Sequence, residues 1–548
     1  MSTALAKEII NFRDREKARQ SNFRNLWQSV SSLIFPQTFG ISEIITPGTE
    51  LMNELFDTTA VEESENMTSG LVTNLFPPGQ LFFALGAGAG VAASYQSKRY
   101  LQMTTEAIHE AIFNSNFISQ VSNTIQYWLT FGTGALYSDW SRVDGLNYRD
   151  YAIGTYQCLE NARGIIDTIV LTCPKTARQI VQQYGKEESK VGRSVSQAYA
   201  KADSKQESFD TIQVIRPRAD FDVDPRLRPA DKMPFENIVV QATDQIVLEE
   251  GGFDEFPFAI PRYQVIYRET YGRGRGTTLL PKVRILNRLA RDYMEMSNKW
   301  VNPPKEVLES FEGTVDITPG ALNFVAQMGS IKPIDMGANG MYPVTKDILE
   351  YRRDEIKQGF FHNAFEPLTD LQGDRRNTTE IIERLKEGMK RLSKPLGRLF
   401  TELLTPVIQR SVLLGMRNGV IPPPPPELQG TPIKVTFINP LALALRDQQS
   451  RGLQYWVSAG AEMEQVFPGI VDNVNADEAY RDLGESMGVK TSHIRKVEEV
   501  EAIREQKAQA AAQQQQAEMA MAAAESYGKA TKAPEQGSPA AALMQEGA

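Results

Sequence analysis

Apolar residues recur every three or four positions through the first 130 residues of the chain. This spacing predicts helices over about 3–34, 50–76 and 96–130. The second helix should end at Pro77-Pro78-Gly79, because proline cannot continue a helix and glycine commonly follows one.

The pattern of apolar and polar residues changes between about 135 and 270. Short β-branched and aromatic runs, such as IIDTIVL and NIVVQA, are separated by polar turns and predict strands. One helix near 176–184 interrupts them. The polar, serine-rich segment 186–208 is predicted to be a mobile loop. Together the patterns predict an α+β protein that is predominantly helical.

A long helical pattern follows the glycine-rich sequence YGRGRGTT. Its apolar or small positions alternate three and four apart and fall on one stripe: Leu279, Val283, Leu286, Ala290, Tyr293, Ser297 and Trp300. The helix is predicted over 278–300, about 33 Å long at 1.5 Å per residue, and ends at Asn302-Pro303-Pro304. A compact insertion over 301–345 and a charged returning helix over 346–361 come next.

A loop over 362–377 leads to another long helix, which opens with Asn377 and Glu380 in a capping-box arrangement. Pro395 should kink or divide this helix. The proline run 422–426 predicts a stiff connector before the strand-like IKVTFI. Helices are expected over about 445–507, and the Ala/Gln-rich tail 511–548 is expected to be partly disordered.

The composition limits the function classes. The 548 residues suggest several domains, and a net charge of −9 does not fit a protein that binds nucleic acid over its whole surface. The two cysteines, Cys158 and Cys173, are expected to be reduced thiols. The longest apolar run, from Leu81, is short and rich in glycine, so no membrane span is expected.

Catalytic and metal-binding patterns are scarce. His109, His362 and His493 lie far apart and form no zinc motif, and no phosphate-binding loop occurs, so neither a metal nor a cofactor is expected. Gly484 to Gly488 matches the GxSxG pattern of serine hydrolases around Ser486. The polar, helix-like sequence before Ser486 does not fit the strand that this motif requires. A helical junction is the preferred interpretation, and the serine hydrolase remains the alternative.

Three segments resemble the head-to-tail connector (portal) proteins of T7-like short-tailed phages. They are FDTTAVEESENMTSGLVTNLFPPGQLFFAL from Phe56, FGTGALY from Phe131, and PRYQVIYRETYGRGRGTTLLPKVRILNRL from Pro261. They occur in the order found in that family, and the likeness runs from about residue 10 to 510.

The resemblance implies a portal fold with a wing, a stem, a clip and a crown, assembled as a ring of about twelve subunits around a DNA channel. The expected divisions are the wing at 1–277, the first stem helix at 278–300, the clip at 301–345, the second stem helix at 346–361, the tunnel loop at 362–377, a wing-crossing helix and returning strand at 378–445, the crown at 446–510 and the tail at 511–548. The implied location is the portal vertex of the virion, after assembly in the host cytoplasm.

The implied partners are further copies of the chain, double-stranded DNA, the terminase packaging motor, the capsid and scaffolding proteins and a tail adaptor, with no membrane. We expect Arg375 and Arg376 to touch DNA phosphates transiently, offset by Asp370 and Asp374. A contact between subunits is the equally weighted alternative for this loop. The stripe with Leu286, Tyr293 and Trp300 is expected to form a core that includes the neighbouring subunit's stem.

Overall fold

The N-terminal part of the chain consists of helices that are shorter than their apolar patterns predict. The computed structural model describes residues 2–36, 40–42, 48–88, 94–218, 232–301, 305–307, 314–316, 331–333, 341–362, 392–430, 433–439, 441–442 and 497–530, with the single residues 458, 463, 475, 477 and 480. The first helices are α1 (Ser2–Arg19), α2 (Ser21–Ile34), α3 (Thr59–Leu75), α4 (Tyr95–Phe113) and α5 (Phe117–Thr130).

Two predicted helices are each divided in two by a side chain that bonds to a distant strand. Gln20 separates α1 from α2 and donates a 3.0 Å hydrogen bond to the carbonyl of Tyr156. Asn116 precedes α5, accepts from the backbone N–H of Tyr148 at 2.9 Å and donates to the same residue's carbonyl at 2.8 Å. The predicted helical regions 3–34 and 96–130 are therefore confirmed, but each is interrupted, at Gln20 and at residues 114–116, where these tertiary bonds lie.

The region predicted to contain strands forms antiparallel sheets. The strands are β1 (Phe83–Gly86), β2 (Leu136–Ser141), β3 (Gly145–Asp150), β4 (Tyr156–Glu160), β5 (Ile166–Thr176), β6 (Ser208–Pro217), β7 (Phe235–Gln241), β8 (Ile246–Phe253) and β9 (Phe258–Ala259). A five-stranded sheet has the order β4-β5-β6-β7-β8, and a three-stranded sheet has the order β3-β2-β9. The strand prediction is confirmed.

Helices cover both faces of the five-stranded sheet. Side chains alternate along β6, so that Ile212 and Val214 pack against α1, whereas Phe209 and Ile215 point to the opposite face. There Phe209 packs against a helical layer, α6 (Ala177–Tyr184), α7 (Glu188–Val191) and α8 (Arg193–Ala200).

The predicted helix near 176–184 is confirmed by α6, but the predicted mobile loop over 186–208 is wrong. Val191, Val195 and Ala198 of α7 and α8 are buried against α6. Val195 and Ala198 are three residues apart on one face of α8, and burial of that face together with Val191 of α7 orders the segment.

The long helix and its returning partner are both present. They are α9 (Arg275–Val301) and α10 (Met341–Gly359), and two short strands between them, β10 (Lys305–Val307) and β11 (Ile331–Pro333), pair antiparallel. The second helix starts five residues earlier than predicted. Pro343 lies in its first turn, where a backbone N–H has no partner within the helix, so proline is tolerated there.

The next helical region is irregular near Pro406. Residues 392–399 are helical through Pro395, whereas a π-helical turn occupies Phe400–Leu404, directly before α11 (Thr405–Arg417). Pro406 lacks a backbone N–H and would clash with the carbonyl four residues earlier, so a local widening there is expected. The kink or division predicted at Pro395 stays a prediction, because most of the helix before this proline lies outside the described residues.

The remaining C-terminal elements are a strand and a long helix. The proline run lies along α4, where the Tyr100 hydroxyl donates to the carbonyl of Pro422 at 2.8 Å. Beyond it, β12 (Lys434–Phe437) pairs antiparallel with β1. Helix α12 (Val497–Ala530) extends well into the segment that was expected to be a tail, and the paired charges of Arg504 and Asp477 lie 2.6 Å apart.

Two glycine-containing segments interlock where the long helix α9 begins. The carbonyl of Gly132 accepts from the N–H of Tyr263 at 2.8 Å, and the N–H of Gly272 donates to the Thr133 hydroxyl at 2.9 Å. A Cβ atom on Gly272 would overlap the carbonyl oxygen of Gly132, and one on Gly274 would overlap that of Leu129. The two backbones therefore touch without side chains between them; we call this contact the glycine junction.

We expect Gly272→Ala to lower the free energy of unfolding by about 3 kcal/mol, because backbone atoms must separate to admit the methyl group. Urea unfolding of the full chain measures the change. Gly397→Ala is the matched control. Gly397 lies in the helix at 392–399 with no atom within 4 Å of the added carbon, so alanine should stabilise by about 0.5–1 kcal/mol. Equal stability of the two variants would contradict the close contact.

Candidate functional site

The antiparallel pair α9 and α10 is the element on which an assembly function would depend. Their buried side chains share the main hydrophobic core of the chain: Leu279, Leu280, Val283, Leu286 and Ala290 of α9, with Leu349 and Ile356 of α10. Gly359 lies so close to Leu279 that an added Cβ would be 2.6 Å from its Cδ2 atom. On the outer side of the pair, Lys282 and Glu355 face each other at 3.3 Å.

The base of the helix pair is closed by Arg275, the first residue of α9. Its Nε and Nη2 atoms donate to the carbonyl of Gly359 at 2.9 and 2.6 Å, so a C-terminal carbonyl of α10 receives a charged donor. The guanidinium also lies 4.7 Å from the ring centre of Phe361. Phe361 has φ +58°, a left-handed conformation that is uncommon for a bulky residue and costs about 1–3 kcal/mol. The contact with Arg275 helps to hold the chain in this turn.

The next residue fixes the turn to another helix. The His362 Nδ1 atom lies 2.8 Å from Oε2 of Glu63 on α3, and the Glu63 side chain is almost completely buried. A buried carboxylate needs such a partner, because burial without one is strongly unfavourable. The chain thus leaves α10 at a fixed point and in a fixed direction.

The segment before α3 ties the outer parts of both helices to the body. The Asn287 side chain accepts from the backbone N–H of Phe56 at 2.7 Å and donates to the carbonyl of Glu54 at 3.0 Å. On α10, the Arg353 Nε atom donates to the buried carboxylate of Asp57 at 2.9 Å. Because one short segment bonds to both helices, it holds them as a pair.

Arg262 holds the segment that leads into α9. This nearly buried guanidinium pairs with Glu160 and, at 3.0 Å, with Glu402 of the π-helical turn. It also donates to the carbonyl of Gly164 at 2.9 Å. An arginine can satisfy several acceptors at once through its planar fork, so Arg262 joins a strand, a loop and the C-terminal helical region.

Several apolar side chains on the described part of the pair are about half exposed. Ile285 on α9 is 48% exposed, and Ile348 and Tyr351 on α10 are 43% and 61% exposed. Helical spacing places all three on the solvent side, away from the stripe that contains Leu286. We call these three residues the outer apolar face.

Two of the three residues predicted to form the oligomer core have side chains that the structure describes. Leu286 is 1% exposed and lies in the core of its own chain. Tyr293 is partly buried against the same core. Trp300 lies in α9, but its side chain is not among those that the structure describes. Leu286 therefore has almost no surface left for contact with a second chain, whereas the outer apolar face has.

The predicted DNA-facing residues lie outside the described residues. This holds for Asp370, Asp374, Arg375 and Arg376, and also for Ser486 and His493 of the hydrolase alternative. What the structure does provide is the fixed starting point at His362, from which the predicted tunnel loop continues.

The reactive side chains that are described have structural surroundings. Cys158 and Cys173 are both free thiols, and burial raises the pKa of Cys158 to about 12, which makes it a poor nucleophile at neutral pH. His109 bonds to the carbonyl of Gln80 at 2.8 Å, and burial lowers its pKa. Within the described residues, no group of three or more His, Cys, Asp or Glu side chains could hold a metal ion. None of the described helices has a stretch both long and apolar enough for a membrane crossing.

The residues that organise this site were not found from the sequence. Arg262, Arg275 and the His362–Glu63 pair act across 84 to 299 positions of the chain. The only local signal was the position of His362 at the end of a predicted helix. A single sequence does not reveal which distant partner such a residue meets.

The chain is similar to known proteins over nearly its whole length. The model of the family described as "Bacteriophage head to tail connecting protein" matches residues 6–494. The portal protein of Salmonella phage epsilon15 is 25% identical over 519 residues, which cover 93% of this chain and 92% of that protein. The probable portal protein of Bordetella phage BPP-1 is 23% identical over 511 residues, 91% of this chain and 90% of that protein.

We expect Leu286→Asp to destabilise the single chain, because it removes a buried Leu side chain and places a carboxylate in the core. Loss of a buried leucine alone costs about 2–5 kcal/mol. Ile285→Asp is the matched control at the preceding position of the same helix, where the side chain is half exposed. Its free energy of unfolding should be close to that of the unchanged protein. Urea unfolding at low protein concentration measures both. If the two variants lose the same stability, the core does not lie where we describe it.

Proposed function

The chain belongs to the family of bacteriophage head to tail connecting proteins, and we propose that it is the portal subunit of a short-tailed phage. As proposed, identical copies form a ring at one vertex of the capsid. The ring is the channel through which the genome is packaged and later ejected, and the platform for the packaging motor and the tail. The full-length similarity to two curated portal proteins supports this assignment.

The observation that carries the proposal is the pair of antiparallel helices with a strand hairpin beyond its tip. In our assignment α9 and α10 are the stem, and β10 and β11 belong to the clip. The sheets and helices before α9 form the wing, and the C-terminal helices form the crown. The proposed boundaries are those expected from the resemblance, with the stem helices extended to Arg275–Val301 and Met341–Gly359.

We assign the contact between neighbouring stems to the outer apolar face. Ile285, Ile348 and Tyr351 lie on two helices that the rest of the chain already holds rigidly, so little conformational entropy is lost when a second copy covers them. Lys282 and Glu355 lie on the same outer side and add a polar rim. We propose twelve copies, as in the family that the sequence resembles.

The tunnel loop is proposed to start at His362 and to carry Arg375 and Arg376 towards the DNA. Every cation on this loop is repeated in each subunit, so a few suffice to guide a polyanion, and many would hold it too tightly. Asp370 and Asp374 are proposed to weaken the attraction. The fixed turn at Phe361 and the His362–Glu63 contact would set the same direction for the loop in every subunit.

The proposed partners follow from this role. They are the terminase packaging motor and later a tail adaptor at the clip, and the capsid and scaffolding proteins at the wing. The location is the virion, after assembly in the host cytoplasm. We propose a structural role without catalysis. A serine hydrolase based on Ser486 has no support in the family or in either relative, and a serine-reactive fluorophosphonate probe should leave the chain unlabelled.

Electron microscopy of the purified full-length protein tests the proposal directly. We expect rings with a central hole, and native mass spectrometry should give the mass of twelve chains. A particle that stays a monomer under all assembly conditions would overturn the proposed function.

We expect Ile348→Glu to leave the subunit folded and to prevent ring closure, because it places a charge in a contact that excludes water. Native mass measurement should show monomers or short oligomers at concentrations where the unchanged protein forms rings. Val143→Glu is the control, since Val143 is a 90% exposed apolar residue on the turn between β2 and β3. Complete rings from the Ile348 variant would exclude the outer apolar face as the subunit contact.

We expect Arg375→Ala/Arg376→Ala to lower the amount of DNA that is packaged or retained, while the rings still assemble. In vitro filling of capsids, scored by protection of DNA from nuclease, measures the effect. Normal filling and retention with intact rings would reject DNA contact. Failure of ring assembly in this variant would instead support the alternative, a contact between subunits.

A further inference from the structure

The helical layer α6–α8 is basic, although the chain as a whole is acidic. Residues 175–205 contain seven lysines and arginines but only three aspartates and glutamates, whereas the complete chain has a net charge of −9. A local excess of cations on one element of an acidic protein indicates a surface with an anionic partner.

Most of these cations are not neutralised by the chain itself. Lys190 pairs with Glu187 at 3.0 Å, and Lys175 lies near Glu249. No carboxylate of the described residues lies within 4 Å of the five others: Arg178, Lys186, Arg193, Lys201 and Lys205. Within residues 175–205, Glu188 and Asp203 have no cation partner, and Asp244 adds a third negative charge where it contacts Ser194, so an excess of two positive charges remains.

Two of the lysines are held around one aromatic ring. The Nζ atoms of Lys186 and Lys205 lie 6.0 and 5.3 Å from the ring centre of Tyr199. Attraction between a cation and a ring face is worth about 0.5–1 kcal/mol at an exposed site. It restrains the two side chains without neutralising them, so both ammonium groups remain available to an anion.

The layer that presents these cations is rigid. Thr176 and Gln179 form a capping box at the start of α6. The Asp244 carboxylate accepts from the N–H of Ser194 at 2.9 Å and from its hydroxyl at 2.7 Å, which caps α8. Val191, Val195 and Ala198 anchor the two short helices in a core with Phe209. A rigid scaffold presents its cations with little entropy loss on binding.

We infer that this surface, which we call the α6–α8 basic surface, binds the phosphate backbone of double-stranded DNA without reading its sequence, as a site separate from the tunnel loop. Lysine predominates, and its ammonium is a compact point charge that contacts phosphates without the fixed geometry of a base-reading arginine fork. The five cations come from α6, α8 and the turns beside these helices, and a surface built from several elements suits a row of phosphates better than a single small anion.

The inference yields a quantitative salt dependence. Five phosphate contacts predict that the logarithm of the observed binding constant falls with the logarithm of the salt concentration with a slope of about −4.5. Loss of three of them should reduce the slope to about −1.8. The expected change is therefore a measured slope rather than loss of binding at one condition.

The test uses the full-length protein and a fluorescein-labelled 30-base-pair duplex of arbitrary sequence, with fluorescence anisotropy recorded between 25 and 300 mM NaCl. The variant is Lys186→Gln/Lys201→Gln/Lys205→Gln. The control is Lys7→Gln/Lys17→Gln/Arg142→Gln, which removes the same charge from exposed positions, two of them on α1 at the other face of the sheet.

A smaller slope for the first variant, with the control unchanged, is the expected result. Equal slopes for the two variants would overturn the inference, because net charge alone would then explain binding. Tighter binding of a polyglutamate peptide than of DNA at equal charge would also overturn it, in favour of an acidic protein partner. The mass of each variant is also measured under native conditions. Loss of rings would concern the proposed function, whereas an unchanged salt slope in intact rings would concern this surface.

Discussion

Direct contact between two stretches of backbone at the glycine junction is the constraint on which the rest of the fold depends. Gly132 and Gly272 come from segments 140 positions apart, and at each of them a Cβ atom would overlap the backbone of the other segment. The contact lies immediately before Arg275, so it determines where the long helix α9 starts and which way it runs. The buried bonds from Arg262 to Glu160 and Glu402 keep the same segment in register with the sheets and the C-terminal helices.

The helix pair that starts at this point uses its apolar residues in two ways. One stripe, which includes Leu286, is covered by its own chain. The outer apolar face is about half exposed, and under the proposed function a second copy would cover it. Such association would cost little conformational entropy, because Asn287 and Arg353 already hold the two helices together.

Local patterns in the sequence predicted the elements well and their tertiary environment poorly. The apolar spacing from Leu279 to Trp300 located α9 to within a few residues, because a regular stripe reflects burial directly. The same stripe does not say whether the cover is the same chain or a neighbour, and Leu286 proved to be covered by its own chain.

The breaks at Gln20 and Asn116 could not be predicted, because each depends on a strand more than 30 positions away. The ordered layer over 186–208 was missed although Val191, Val195 and Ala198 have helical spacing, because the polar residues between them dominated the composition. The candidate loop residues could be named from the family resemblance alone, whereas their anchor, the His362–Glu63 contact, required coordinates.

The π-helical turn at Phe400–Leu404 has a consequence for everything that follows it. The N–H of Thr405 bonds to the carbonyl of Phe400, five residues back, so this turn contains one residue more than an α-helical turn. One residue corresponds to a rotation of about 100° around the helix axis. That offset lets Glu402 reach Arg262 while Arg410 still points at the carbonyl of Ser138, 2.9 Å away. Deletion of a single residue here would leave the segment helical and its composition almost unchanged. It would nevertheless rotate α11, so that a different side of this helix faces the sheets. The length of this turn therefore fixes the rotation of α11 relative to the sheets, and insertions should be tolerated far better in the surface loops than within these five positions.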